Sequence, residues 1–418
     1  MRRPPRIILH RPFTSQTSTT TTNRLSFGFS GAGFLGCYHV GVASCLNHQG
    51  LLPHPDDDSY NAATFPLLTG VSAGSMVAAA SAAGVRPDPD GMDVVLEASR
   101  RTRAFSKRAS ISLDALTPGF GLIDQVEGAF REAMAKALGG YCEKKNADDD
   151  DDDDDSKSKS DIAIRDIDPE LFATRFPEGS LRIGLTDRRD LSPPFGKAYR
   201  YVGTYRDLED IVACCMLSSY IPGVTGLINV KDNAPLFLGG LLSTSSADAK
   251  DSVDTQFGSD SSGKAAYRLK EMTQLGMVKH GTTGLPVLED HDPTIQEEGK
   301  ESSKISHGPN FYWDGGLSDM FPTFDENTVV VAPLNGLFDS NPSISPLMPD
   351  EEPDTSYRST MIRHCPKFQL ALNPKNATAA LKMIFSSDDD ALYLSFREGY
   401  DDTRRYLDKC GQLRVFSG

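Results

Sequence analysis

Gly70-Val71-Ser72-Ala73-Gly74 fits the pattern G-x-S-x-G, and its flanks narrow the folds open to this chain more than any other feature. The apolar residues 65–68 before it read as a strand, and the small residues 75–83 after it read as a helix. Ser72 therefore falls on a strand-to-helix turn, the context in which this pattern carries a nucleophile. Glycines on both sides let the backbone bend sharply and lift the Ser72 hydroxyl clear of a sheet. A strand feeding a helix through a tight turn is also the repeating unit of an α/β protein.

A second strand, turn and helix stand upstream. Residues 25–30 alternate apolar positions and lead into glycine, a strand signal followed by a turn signal. Leu35, Tyr38, Val42, Cys45 and Leu46 recur at spacings of three and four, which predicts a helix over 34–48 with one apolar face. Between them Gly31-Ala32-Gly33-Phe34-Leu35-Gly36 fits G-x-G-x-x-G. A dinucleotide site would also need a second strand ending in an acid about 20 residues on. Asp56 stands there, but Leu52-Pro53-His54-Pro55 precedes it, and two prolines do not make a central strand. Two uses remain for the glycine turn. One is close packing of strand against helix; the other is a set of backbone amides aimed into one cavity at a helix N-terminus, as in an oxyanion hole.

The residues alone leave the base for Ser72 open. Of the eight histidines, His280, His291, His307 and His364 lie downstream of Ser72, in the order that a Ser–acid–His triad requires. Three of these sit in or beside a polar stretch, and His364 precedes a strand in Arg363-His364-Cys365-Pro366. His39 lies near the glycine turn, on a helix where packing or capping accounts for it. The other candidate is Asp314 in Trp313-Asp314-Gly315-Gly316, an acid at the end of a predicted strand with two glycines behind it. To take the serine proton directly it must stand ~2.6–3.2 Å from the hydroxyl and be shielded from water. The plainer reading is an acid that starts a turn.

The rest of the chain is consistent with one α/β body. With 39% hydrophobic and 24% charged residues over 418 positions, wholesale disorder, collagen and a disulfide miniprotein are excluded. The net charge of −15 comes more than half from the eight aspartates at 148–155, and an acidic balance argues against general nucleic-acid binding. Seven cysteines without C-x-x-C spacing predict reduced thiols and a cytosol-facing compartment. A helix is predicted over 126–137, then a low-complexity insertion at 146–160 too self-repelling to pack. Strands follow at 181–187 and 197–204, then a helix capped by Asp207 and running to 215. A second polar insertion at 241–307 is expected to hang from the surface. Strands at 328–334 and 368–372 and a last helix over 391–407 complete the pattern. Alternating strands and helices define an α/β fold with a largely parallel sheet and connections on both faces.

Residues 61–85 carry no charge, yet they are built from Ala, Gly, Ser and Thr with Pro66 and Gly70 among them. They read as strand, turn and helix rather than as a membrane span of ~20 apolar residues. Residues 1–23 hold Arg2, Arg3, Arg6, Arg11, a Ser/Thr tract and no acid, which suits a disordered tail or an organelle-targeting segment. Arg100, Arg101, Arg103, Lys107 and Arg108 form an acid-free basic run, either a solvated helix face or a patch for an anionic membrane.

The three motifs, in this order, resemble the patatin-like phospholipase family, nearest to its branch of adipose triglyceride lipase and adiponutrin. The resemblance rests on residues 25–46, on the elbow at 70–74 and on Trp313-Asp314-Gly315-Gly316-Leu317-Ser318-Asp319. Weaker echoes are residues 181–186, Cys214-Cys215 leading to Tyr220-Ile221-Pro222, Val331-Ala332-Pro333 and Glu398-Gly399-Tyr400. It covers residues 24–136, 165–230 and 308–410.

What the resemblance implies is a patatin-like three-layer α/β/α catalytic domain over residues 24–410, and a Ser–Asp dyad lipid acyl hydrolase with no cofactor or metal. Ser72 would be the nucleophile between elbow glycines Gly70 and Gly74. Asp314, followed by Gly315 and Gly316, would be the base, and the amides of Gly31, Ala32, Gly33 and Gly36 the oxyanion loop. The implied substrates are acylglycerols or phospholipids, met at a membrane or lipid-droplet surface by a cytoplasmic, peripherally bound protein. A transacylase using the same acyl-enzyme, or a catalytically weak lipid-binding regulator, fits the same motifs. The two insertions have no counterpart in the resemblance, and a protein co-activator would leave no mark in these motifs.

Overall fold

Phe27 and Phe29, both almost wholly buried, lie on the strand around which the sheet is built. The computed structural model describes residues 24–57, 60–108, 122–144, 162–165, 167–191, 195–221, 261–287, 312–338, 340–347, 360–365 and 368–413. The first half of the chain gives β1 (Ser26–Phe29), α1 (Gly36–His48), β2 (Leu67–Gly70), α2 (Ala73–Ala83), α3 (Met92–Arg108), α4 (Leu122–Ala137), β3 (Tyr141–Lys144) and β4 (Ile162–Arg165). Then come α5 (Pro169–Arg175), β5 (Leu181–Asp187), β6 (Tyr199–Val202), α6 (Leu208–Ser218), α7 (Ser261–Gln274), β7 (Val278–His280) and β8 (Tyr312–Asp314). The C-terminal part holds β9 (Val329–Val331), β10 (Gly336–Phe338), β11 (Ser343–Ile344), β12 (Thr360–Cys365), β13 (Phe368–Leu372), α8 (Pro374–Ile384) and α9 (Asp389–Lys409).

The main sheet runs β11-β9-β1-β2-β5-β6-β7, with β8 pairing to β5. Its core is parallel: β1 pairs with β2 and β9, β2 with β5, and β9 with β11. The β6, β7 and β8 pairings are antiparallel. Helices layer onto the sheet to give the three-layer α/β/α arrangement, as the alternating pattern predicts. A separate three-stranded sheet, β10-β13-β12, leads into α8.

Several expectations need correction. The apolar periodicity of α1 predicts one buried face, yet every residue from Gly36 to Leu46 is buried. The reason is α9, which packs along it, with Tyr38 Oη donating to Asp402 at 2.8 Å. The strand expected at 65–68 forms at Leu67–Gly70, because Arg24 Nε takes the Phe65 carbonyl at 2.9 Å. β3 and β4, which the sequence pattern did not predict, pair as antiparallel strands on either side of the 146–160 insertion, which itself lies outside the described residues, as does the 1–23 tail.

The largest correction concerns 241–307. Its described part, 261–287, does not hang from the surface. Ala265, Leu269 and Met272 recur at helical spacing on α7 and are buried, and α7 packs on α6. Arg268 Nε donates to the fully buried Asp210 of α6 at 2.6 Å, and β7 extends the sheet by pairing with β6. Averaged over the whole stretch, the Ser, Asp and Gly content hides this short apolar stripe. No helix among the described residues is long and apolar enough to cross a membrane.

Candidate active site

Three strand ends converge. β1 ends in the glycine turn, β2 ends in the serine elbow, and β8 ends in Asp314. The strand that unites the last two is β5: Gly70 lies opposite Ile183, and two residues further along β5 Leu185 lies opposite Asp314. Where β2 leaves the sheet at the elbow, β8 arrives.

The elbow is strained, as a nucleophile turn should be. Ser72 is the one non-glycine residue with positive φ among the described residues, at +53°, a conformation that costs ~1–3 kcal/mol and persists only where its surroundings impose it. The flanking glycines are required by close approach. A Cβ on Gly70 would stand 2.4 Å from the Gly74 carbonyl oxygen, and one on Gly74 would stand 2.3 Å from the Ser30 carbonyl oxygen. Ser218, at the end of α6, holds the elbow from the other side: its hydroxyl donates to the Gly184 carbonyl at 2.6 Å and accepts the Ser72 amide at 2.9 Å. Ser75 Oγ donates to the Ser72 carbonyl at 2.6 Å.

Asp314 is 4% exposed. Its amide donates to the Tyr220 carbonyl at 2.9 Å, and its carbonyl accepts Thr186 Oγ1 at 2.6 Å. The carboxylate accepts the Gly316 amide at 2.7 Å. Burial pushes the carboxyl up to about 6, against the lowering effect of that amide and of the nearby Ser72 hydroxyl. Asp314 does start a turn: it caps the short 3-10 turn Gly315–Leu317, whose Gly316 amide fixes one carboxylate oxygen.

The four amides of the glycine turn are not equivalent, which corrects their joint assignment. Gly31 donates to the Met320 carbonyl at 3.3 Å, and Gly36 donates to the Gly33 carbonyl at the start of α1. Both are already engaged. Among the described residues the amides of Ala32 and Gly33 have no such partner. Gly33 has φ +53°.

The histidines fit less well. His39 is fully buried, and its Nε2 stands 2.9 Å from the Ser30 carbonyl oxygen. A carbonyl only accepts, so Nε2 carries the proton, while burial pushes the imidazole down to about 4. It packs, as its helix position predicts. His364 lies on β12, at the bulge in the second sheet, rather than on the sheet that carries Ser72 and Asp314. Asp56 stands beside His54 and Arg86 in an exposed loop, not at a strand end. Arg100 and Arg103 of the basic run pair with Asp389 of α9, and Arg101 pairs with Glu97. The described part of that run is a charge-paired helix face. Lys107 and Arg108 have side chains outside the described residues.

From Ser72 an apolar cavity of about 140 Å³ runs the length of α2. Met76 and Ala80 line it from α2, Val94 from α3, and Val126 and Phe130 from α4. The distance from Ala73 to Ser81 along the helix is ~12 Å. The slot is apolar along this length and meets Ser72 at one end.

A three-layer α/β/α sheet with a strained serine at one strand end, a buried carboxylate beside it and an apolar slot behind it defines a serine hydrolase architecture. The family model described as patatin-like phospholipase matches residues 29–249, more than half of the chain, and the chain belongs to that family. Membership supports lipid hydrolysis as its class of activity. Mouse "Patatin-like phospholipase domain-containing protein 2" is 31% identical over 120 residues, covering 29% of this chain and 21% of that protein. The match thus spans about a fifth of that relative. No solved structure matches. The segment matched by the family model carries the glycine turn and the elbow, and Asp314 lies beyond it.

Ser218 and Thr186 carry no motif signal. Their hydroxyls act across 146 and 128 residues of sequence, so only the folded chain reveals them.

Proposed function

We propose that this protein is a lipid acyl hydrolase in which Ser72 is the nucleophile and Asp314 the base, acting on acylglycerol or phospholipid esters. The observation that carries the reading is the buried Asp314 carboxyl, pushed up to about 6, beside the Ser72 hydroxyl. A carboxylate of ordinary strength is a poor base near neutrality, and one raised toward the working pH is a better one. Ser72 Oγ attacks the acyl carbonyl while its proton passes to Asp314. The negative charge on the tetrahedral carbonyl oxygen is received by the Ala32 and Gly33 amides. Collapse expels the lipid alcohol, which takes the proton from Asp314, and leaves the acyl chain on Ser72. Asp314 then draws a proton from water as that water attacks the acyl-enzyme, and the fatty acid leaves with Ser72 reprotonated.

The base must be ionised, so kcat/KM is expected to fall about tenfold per pH unit below pH ~6 and to level off above it. A pH–rate series on a soluble ester checks this. A flat profile from pH ~5 to ~7 would remove Asp314 from the base role. Activity lost in His364→Ala but kept in Asp314→Asn would put a histidine there instead.

The slot along α2 supports a long acyl chain as the half of the ester held on Ser72. Ala80 lines it midway, so Ala80→Phe should cut kcat/KM for p-nitrophenyl palmitate by ~10–100-fold and leave the butyrate ester within a few-fold. Equal loss on both esters, or on neither, would mean that the acyl chain lies elsewhere.

A further inference from the structure

α8 is built inside out. Surface helices turn their apolar stripe toward the core, but Ala377, Ala380, Leu381, Ile384 and Phe385 follow one another at helical spacing and are all exposed. Leu381 is 59%, Ile384 42% and Phe385 38% exposed. The only fully buried residue of the helix is Asn376. A helix of 11 residues that buries so little is marginal by itself in water, yet this one is fixed at both ends. At its start Asn373 Nδ2 donates to Asn335 Oδ1 at 2.8 Å, and Asn376 Nδ2 donates to the Asn335 and Ala371 carbonyls, each at 2.7 Å. Just past its end the Ser387 carbonyl accepts Ser99 Oγ of α3 at 3.0 Å and also an Arg103 guanidinium hydrogen.

Its position ties it to the site. The Met383 carbonyl oxygen lies so close to Gly33 that a Cβ there would stand 2.0 Å from it, and Gly33 is at once a wall of the apolar slot and the carrier of a free amide. α8 thus packs against the glycine turn, at one wall of the apolar slot. The helix itself carries two lysines and no acid, and Asp388, Asp389 and Asp390 follow it.

Resting on the acyl-hydrolase reading, we infer that the outward face of α8 is a docking surface for a phospholipid bilayer. It is seated in the interface as an amphipathic helix is, so that a lipid's acyl chain reaches Ser72 without crossing water. The arginines of α3 do not serve here, since the described ones are paired within the protein.

The test is flotation of the full chain with phosphatidylcholine vesicles, wild type against Leu381→Asp/Ile384→Asp. Two apolar side chains withdrawn from the interface should lower vesicle partitioning by roughly 100-fold. Flotation reads binding without turnover, so the result is independent of whether Ser72 hydrolyses the lipid. Ser72→Ala should float as the wild type does. Exposed sites tolerate substitution, and a melting temperature within a few degrees of wild type confirms that the double variant is folded. A Leu381→Trp chain provides a second reading, with quenching of its added emission by brominated lipid. A wild type that fails to float, equal flotation of the double variant, or a wild-type dimer that the double variant dissolves would each overturn the docking surface.

Discussion

Asp314→Asn is expected to abolish ester hydrolysis and, above pH ~6, to make the protein more stable. The two effects share one cause. The carboxyl is buried and its pKa is pushed up to about 6 in the folded chain, so it holds its proton more tightly folded than unfolded, where an aspartate titrates near 3.9. Its contribution to stability is therefore complete below about pH 4, fades as the pH rises, and is gone once pH passes ~6. Above that, ionising Asp314 costs as much as ~3 kcal/mol. Asparagine is never ionised and still offers an oxygen to the Gly316 amide. Turnover should fall by ~10³-fold or more, while thermal melting at pH ~8 rises by several degrees. The gain should shrink toward zero at pH ~4. A gain that ignores pH would be a packing effect, and a lower melting temperature at pH ~8 would mean that the carboxylate is better solvated than its burial indicates.

The second large effect is at the glycine turn, and it separates glycines that look alike in the motif. Gly33→Ala places a Cβ 2.0 Å from the Met383 carbonyl oxygen and forces φ +53° on an ordinary residue. The loop must move, and with it one of the two free amides. Loss of an oxyanion donor typically costs ~10²–10³ in kcat, so this one methyl should reduce fatty-acid release by that order with KM little changed. Gly31→Ala and Gly36→Ala are the controls. Their methyl groups would meet the nearest atoms at 3.7 and 3.5 Å, ordinary contacts, and their amides are already engaged within the protein. Both should stay within about tenfold of wild type. Kinetics that punish all three equally would mean that the turn acts as one rigid unit.

The parts of this fold that were legible in the sequence are the local ones. β1, β2, the elbow and the Asp207 cap, whose side chain accepts the Asp210 amide at 3.0 Å, follow from periodicity, turn chemistry and capping rules that act over a few residues. The Asp-Gly-Gly triplet was legible as a rigid acid and as one candidate partner of Ser72 beside the histidines, but local rules could not choose among them, because the placement of Asp314 depends on β8 joining the edge of β5 that β2 vacates. Such pairings are set by tertiary contacts and leave no period to count. The same reason hid Ser218 and Thr186, and it left the reading of α3 open between a helix face and a membrane patch, since two of its arginines find Asp389 more than 280 residues away. α7 and β7 were lost differently. Their buried stripe is short and its neighbours are polar, so composition outweighed periodicity. In α8 the apolar stripe is real, but no rule for soluble helices puts it on the outside.

The central claim is that Ser72 and Asp314 hydrolyse lipid esters as a pair. It is tested most directly by fatty-acid release from triolein emulsions and phosphatidylcholine vesicles, with wild type set beside Ser72→Ala and Asp314→Asn. The account predicts release by the wild type on at least one of the two lipids and loss of ~10³-fold or more in each variant, with the better substrate deciding between acylglycerol and phospholipid. A wild type no faster than either variant on both lipids would contradict it.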